Sequence, residues 1–138
     1  MQDDPLYTFD LENPADPRIA GALSLPGFSD FLHPVSDGLL LGIGQSAVGG
    51  VRVALFDVSR LDQPRELGGI DYGASGTSSE ARYDRHAFAY LADVGTTDHL
   101  AIPFNLYSTD GQYRFIRSVL GLLEIRNKSQ PANASLVE

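Results

Sequence analysis

The stretch Ala54-Leu55-Phe56-Asp57-Val58, followed by Gln63-Pro64-Arg65, decides the fold, because the chain repeats it. An earlier copy reads Leu6-Tyr7-Thr8-Phe9-Asp10-Leu11, then Asp16-Pro17-Arg18. Phe9 to Phe56, Pro17 to Pro64, Arg18 to Arg65 and Gly21 to Gly68 are each 47 residues apart. A weaker third copy, Leu122-Leu123-Glu124-Ile125 with Gln130-Pro131, lies 67 residues beyond the second. Each copy sets down an apolar strand, an acidic residue near its end (Asp10, Asp57, Glu124) and a polar turn carrying Pro17, Pro64 or Pro131. A second short strand follows each turn. A residue that recurs at one repeat position most economically serves the repeat, here by capping the turn.

Outward from the repeat the pattern stays β. Gly38-Leu39-Leu40-Leu41-Gly42-Ile43-Gly44 is a short apolar run bounded by glycine, which suits a strand buried on both faces. Val51, Val53 and Leu55 alternate with Arg52 and Ala54, the period of a strand packed on one face more than the other. Arg65–Tyr72 reads as a shorter outer strand, and a second round is expected over Ala81–Leu91, His99–Leu106 and Tyr113–Ile125. Ser118–Arg126 would pass as a short helix on propensity, but its alignment with the earlier copies makes it strand. Gly73–Ser79 and Ser108–Gln112 read as connections. Four short strands per repeat of about 45 to 65 residues is the signature of a β-propeller blade. The expected architecture is all-β: a partial propeller of about two to two and a half four-stranded antiparallel blades. Residues 1–29 end one blade, 30–72 form a complete one, and 73–138 supply the next with its last strand truncated.

The 138 residues include no cysteine and no tryptophan, with 10 basic against 18 acidic residues and a net charge of -8. That balance is the opposite of what phosphate backbones attract, so nucleic acid is not an expected partner. No apolar run approaches the roughly 18 residues of a membrane-spanning helix, so no membrane insertion is expected. Met1-Gln2-Asp3-Asp4-Pro5 has neither the basic stretch nor the apolar core of a signal peptide.

Pro26-Gly27-Phe28-Ser29-Asp30-Phe31-Leu32-His33-Pro34, Leu55-Phe56-Asp57-Val58-Ser59 and Ser79-Glu80-Ala81-Arg82-Tyr83-Asp84-Arg85-His86-Ala87-Phe88 together resemble the bacterial and archaeal beta-propeller domain proteins. Asn13–Pro17 and Ala101-Ile102-Pro103 add to the likeness, which covers roughly Leu6–Ile125. The resemblance implies a C-terminal propeller distantly similar to WD repeats and an extracellular or envelope setting for a full-length parent. It carries over no catalytic set. This chain matches only part of that family's domain.

His33 and His86 fall at comparable points of successive repeats, each just after an aromatic at the start of a blade. Imidazole with Asp84, Asp30 or Glu80 is suitable divalent-metal chemistry, so His33, Asp84 and His86 are the candidate metal ligands. The competing reading is a hydrogen-bonded staple between strands, favoured because no short zinc-type spacing is present. Asp93-Val94-Gly95-Thr96-Thr97-Asp98-His99 gathers oxygen donors in one loop but lacks the alternation and closing glutamate of a calcium loop. Gly42–Gly50 imitates a phosphate loop, yet a strand pattern and not a helix follows it, and Val48 stands where a nucleophile elbow needs glycine. Asn127-Lys128-Ser129 and Asn133-Ala134-Ser135 match the glycosylation pattern and are read as composition.

These observations point to a non-catalytic scaffold that binds protein or polysaccharide, without a cofactor. The alternative is a metal-dependent hydrolase with its site at the channel. Blades that stop mid-ring leave open edges and an apolar face, so self-association or missing blades are expected to complete the ring. About three copies of two blades each would make six, within the four to eight of closed propellers.

Overall fold

The computed structural model describes residues 4–108, 110, 112 and 114–138, and among them places ten strands in three antiparallel sheets. The first sheet is the hairpin β1 (Leu6–Asp10) and β2 (Arg18–Leu23). The second runs in chain order through β3 (Gly27–Ser36), β4 (Leu39–Ser46), β5 (Val51–Asp57) and β6 (Arg65–Tyr72). The third joins β7 (Ala89–Leu91), β8 (Asp98–Tyr107), β9 (Phe115–Arg126) and β10 (Ser135–Val137) in the same order. This is the partial propeller that the repeat predicts, and Ser118–Arg126 is strand.

The repeat extends to the hydrogen-bond register. Asp10 faces Arg18 and Asp57 faces Arg65, and both hairpins shift register one step earlier, between Thr8 and Phe9 and between Leu55 and Phe56. A bulge recurring at one repeat position is a designed feature that bends both hairpins alike. The third copy departs. Glu124 faces Val137, thirteen residues on instead of eight, and Pro131 opens a single 3-10 turn over Pro131–Asn133. The longer connection passes through Asn127 at φ 57, a left-handed conformation that asparagine tolerates better than most residues.

Alternation along the strands assigns each sheet two faces. In β4 and β5 one face carries Leu39, Leu41, Ile43, Val51, Val53 and Leu55, all fully buried. They form one core with Leu100, Ile102, Phe104, Leu123 and Ile125 of the third sheet. Tyr72 stacks on Phe104 across the same seam, with ring centroids 4.0 Å apart. Full burial of each such aliphatic side chain contributes about 1.5–3 kcal/mol. β5 is buried on its other face as well, where Ala54 and Phe56 lie beside the half-buried Arg52. The Phe56 ring covers Gly42 so closely that a Cβ there would lie 2.7 Å from it; Phe104 covers Gly121 at the same distance.

The expected strand over Ala81–Leu91 shrinks to the three residues of β7. Ser79 Oγ instead accepts the Ala81 N–H and caps a 3-10 turn over Glu80–Arg82, and Asp84 Oδ1 accepts the His86 N–H in the turn that follows. Side-chain acceptors here outcompete the strand ladder. The turn buries Ala81 and Arg82 beside the second sheet, where Arg82 Nε donates to Asp30 at 2.5 Å. Tyr113, expected to open β9, lies outside the described residues.

Candidate functional site

His33 lies on β3 paired with Leu41, so its ring points into the seam between the second and third sheets. There it meets Phe88 edge-on with centroids 5.7 Å apart and Tyr90 at 4.5 Å. Burial lowers the imidazole's proton affinity against the opposing pull of Asp98, so His33 favours the neutral form. His86 sits apart in the turn before β7, exposed, with Nδ1 3.1 Å from Asp84 Oδ1. Accepting the His86 backbone N–H, and its ring, holds the Asp84 carboxyl below its ordinary range. Residue for residue, Ala89 and not His86 occupies the place of His33, since Ala89 pairs with Ala101 as His33 pairs with Leu41. His33, Arg85, His86, Phe31, Phe88 and Tyr90 line a cleft of about 410 Å³. Of the other proposed ligands, Asp30 is engaged by Arg82 and Glu80 lies in the 3-10 turn. The structure thus brings Asp84 and His86 together, and no group of three or more metal-ligating side chains is found among the described residues.

The repeat acids close their turns in the first two copies. Asp10 Oδ1 accepts the Glu12 N–H at 2.9 Å, and Asp57 Oδ1 accepts the Ser59 N–H at 3.0 Å. Asp57 also binds the Ser59 hydroxyl at 2.6 Å and both Nε and Nη2 of Arg65, at 3.1 and 2.9 Å. Burial works to raise its carboxyl, but these donors prevail and hold it low. Glu124, with its longer side chain, pairs with Arg126 at 2.8 Å and approaches His99 at 3.6 Å.

A cluster that the sequence reading missed surrounds Asp98, which is completely buried. It accepts from Tyr90 Oη at 2.6 Å, from the Asp93 N–H at 2.9 Å and from Lys128 Nζ. Lys128 Nζ also donates to the Asp93 carbonyl, and the Lys128 carbonyl accepts the Ser36 hydroxyl at 2.7 Å. Burial opposes ionisation of Asp98, yet the three donors hold its carboxyl below the usual range, while burial and Asp98 push the Tyr90 phenol up. The Asp93–His99 loop, weighed above for calcium, therefore has its Asp98 charge matched by an ammonium of the chain itself. Lys128 is the chain's only lysine, a signal that could have singled it out.

A concavity of about 650 Å³ opens on the outer face of the third sheet and includes Ala89, Leu91, Ala101, Leu122 and Val137. Three antiparallel sheets, a register that repeats down to its bulge and a core shared between neighbouring sheets are blade architecture. The family model described as beta propeller domain matches residues 1–138. The chain belongs to this beta propeller family. It is 39% identical over 87 residues to "Uncharacterized protein MJ1554" of Methanocaldococcus jannaschii, and 40% identical over 87 residues to an uncharacterised protein of Archaeoglobus fulgidus. In both comparisons the match covers 63% of this propeller chain and 14% of the relative, so it spans only a small part of the curated proteins it resembles. No solved structure matches it significantly. No helix among its described residues is long and apolar enough to cross a membrane.

Proposed function

We propose that this propeller chain is a binding scaffold without a reaction centre, working within a secreted or envelope-associated protein and recognising a protein or polysaccharide. The observation that supports this reading is where the buried carboxylates are engaged. Asp57 is held by Ser59 and Arg65, and Asp98 by Lys128, Tyr90 and the Asp93 N–H, all contacts that tie strands and turns together. A carboxylate that acts as catalytic acid or base is instead poised toward a cleft, free of such structural partners. The secreted or envelope setting is part of the proposal and is supported by the resemblance noted in the sequence.

The reading is tested with purified protein on an array of polysaccharides and in parallel on chromogenic ester and phosphoester substrates with added zinc or manganese. Saturable glycan or protein binding without metal-stimulated turnover is the expected result. Turnover that needs the metal and disappears in both His33→Ala and His86→Ala would establish the hydrolase in its place.

A further inference from the structure

The cleft between β3 and the approach to β7 is walled by rings that the strands hold in place. Phe31 and His33, two residues apart, share one face of β3, and Phe88 and Tyr90 stand against them. The rings form an unbroken row, with centroids 5.7 Å apart from Phe31 to Phe88, 5.7 Å from Phe88 to His33 and 4.5 Å from His33 to Tyr90. Tyr90 Oη is bound to the buried Asp98, which leaves its ring to the cleft. The row is therefore in place before any ligand arrives, which lowers the ordering cost of binding. Two polar groups on this cleft lack partners. Neither ring nitrogen of His33 is hydrogen-bonded among the described residues. The second is Arg85 on the rim. Among the described residues every arginine but Arg85 and Arg117 pairs with a carboxylate, and of these two Arg85 lines the cleft. Asp84 beside it is hydrogen-bonded to the His86 N–H and ring, and reaches Arg85 through charge alone.

We propose that this cleft, taking the chain as the binding scaffold argued above, holds a uronic-acid unit of a polysaccharide, its ring on the aromatic row and its carboxylate on Arg85. Shape favours a sugar unit over a protein partner. The cleft volume of about 410 Å³ lies within the roughly 300–1,000 Å³ of small-ligand sites. A protein partner would instead need a patch of about 800 Å². The aromatic row selects a ligand with an apolar face, and the C–H face of a pyranose lies flat on such rings, whereas a bare inorganic anion has none to offer. Burial keeps the His33 imidazole neutral, so one nitrogen donates and the other accepts, the combination that suits sugar hydroxyls. Arg85 then selects the charge. Its planar guanidinium fork matches a carboxylate, and it is an uncommitted cation in a chain of net charge -8. Both walls belong to the two four-stranded sheets, and no face at either end of the chain enters the site.

Amide chemical-shift titration of the full chain with trigalacturonate and with neutral maltotriose tests the proposal. Trigalacturonate should bind with a dissociation constant below about 1 mM, and maltotriose at least about tenfold more weakly. The shifts should centre on Phe31–His33 and Arg85–Tyr90. Arg85→Gln should remove the preference, bringing trigalacturonate down to the level of maltotriose, and His33→Phe, which keeps a ring, should weaken both. Arg117→Gln alters the other unpaired arginine, on β9, and should leave both titrations unchanged. Thermal melts check that the variants stay folded. Shifts centred elsewhere, or an equal loss in Arg117→Gln and Arg85→Gln, would overturn the proposal in favour of diffuse charge attraction. Displacement of trigalacturonate by an equal concentration of inorganic sulfate would also overturn it, reducing the cleft to an anion site. Absence of any shift at about 10 mM trigalacturonate, weaker than the millimolar end of specific affinities, would overturn it as well. Binding of another glycan or of a protein on the array would in that case leave the scaffold reading standing, whereas metal-dependent turnover lost in both histidine variants would overturn the two together.

Discussion

The second and third sheets present nearly the same residues at the same repeat positions and differ in what lies beyond them. Val53 and Leu55 in β5 are fully buried; Leu120 and Leu122 in β9 are mostly exposed. Neither hydrophobicity nor strand propensity distinguishes these pairs. What differs is the neighbour: the second sheet is covered on this face by the third, and the third by nothing among the described residues. Burial in a repeat architecture is therefore a property of position in the array, and the energetic weight of a side chain follows its neighbour more than its identity. The sharpest way to break the comparison is to truncate both leucines. Leu55→Ala should cost about 4 kcal/mol of folding stability, as transfer and cavity terms add. Leu122→Ala should cost less than about 1 kcal/mol in chain dilute enough to be monomeric. Denaturant unfolding measures both; equal losses would mean that the third sheet's outer face is covered in the single chain.

A second contrast concerns how the connections are held. The loop before β8 and the turn after β9 meet at Asp98 and Lys128, whereas the hairpin turn after β5 is held locally by Asp57. Removing the ammonium in Lys128→Met leaves the buried Asp98 carboxylate without its cation, and such a loss costs about 3 kcal/mol. The sign of the pH effect follows from the depressed carboxyl. Its contribution is complete above the unfolded value near 4 and disappears as pH falls through the lower folded value. Wild-type melting temperature should thus drop steeply below about pH 4, and the variant's should drop less. Parallel pH profiles for the two proteins would remove Asp98 from the explanation.

Asp57 and Asp10 sharpen the same comparison on a smaller scale. Asp57 is buried and bound by Arg65 as well as Ser59, so Asp57→Asn should cost about 2 kcal/mol. Asp10 makes the same backbone contact in solvent while Arg18 turns to Asp16 instead, so Asp10→Asn should cost under about 0.5 kcal/mol. Thermal unfolding of both variants decides whether the repeat position or its burial sets the cost.

What was legible in the sequence was whatever repeats or stays local. The apolar run of β4 and the alternation of β5 marked their strands, and the recurrence of Phe9, Phe56 and Leu123 carried the blade order and kept Ser118–Arg126 from being read as a helix. The strand expected over Ala81–Leu91 was misjudged, because the hydroxyl of Ser79 and the carboxylate of Asp84 bind neighbouring amides and turn the chain before β7. The third copy kept its proline spacing while its hairpin closed five residues later, a difference of register that spacing alone does not encode. At the candidate site, sequence proximity found the Asp84–His86 contact, two residues apart. It misaligned His33, since the turn before β7 displaces His86 from the strand. The Asp98–Lys128 pair, 30 residues apart and on different elements, left no local pattern.

The smallest effect tests the repeat at two glycines. Gly21 and Gly68 are equivalent, pairing with Thr8 and Leu55, but a Cβ on Gly21 would lie 2.4 Å from the Leu61 carbonyl oxygen and 2.8 Å from Pro64 Cδ. A Cβ on Gly68 would meet nothing within 4 Å. Gly21 is therefore required by the approach of the first hairpin to the second sheet, an approach that the hydrogen bond from Thr8 Oγ1 to the Leu61 carbonyl also fixes. Gly21→Ala should push the hairpin off, at a cost of about 1 kcal/mol, visible as faster amide exchange across Tyr7–Leu23 with the rest unchanged. Gly68→Ala should be neutral or stabilise by roughly 0.5 kcal/mol, because alanine loses less backbone entropy in a strand. Equal responses would mean that the hairpin is held by its own turn and not by the seam with Leu61 and Pro64. An effect at Gly21 alone would place the first hairpin in the array as a true preceding blade, with its Phe9 face left to receive whatever stands before it.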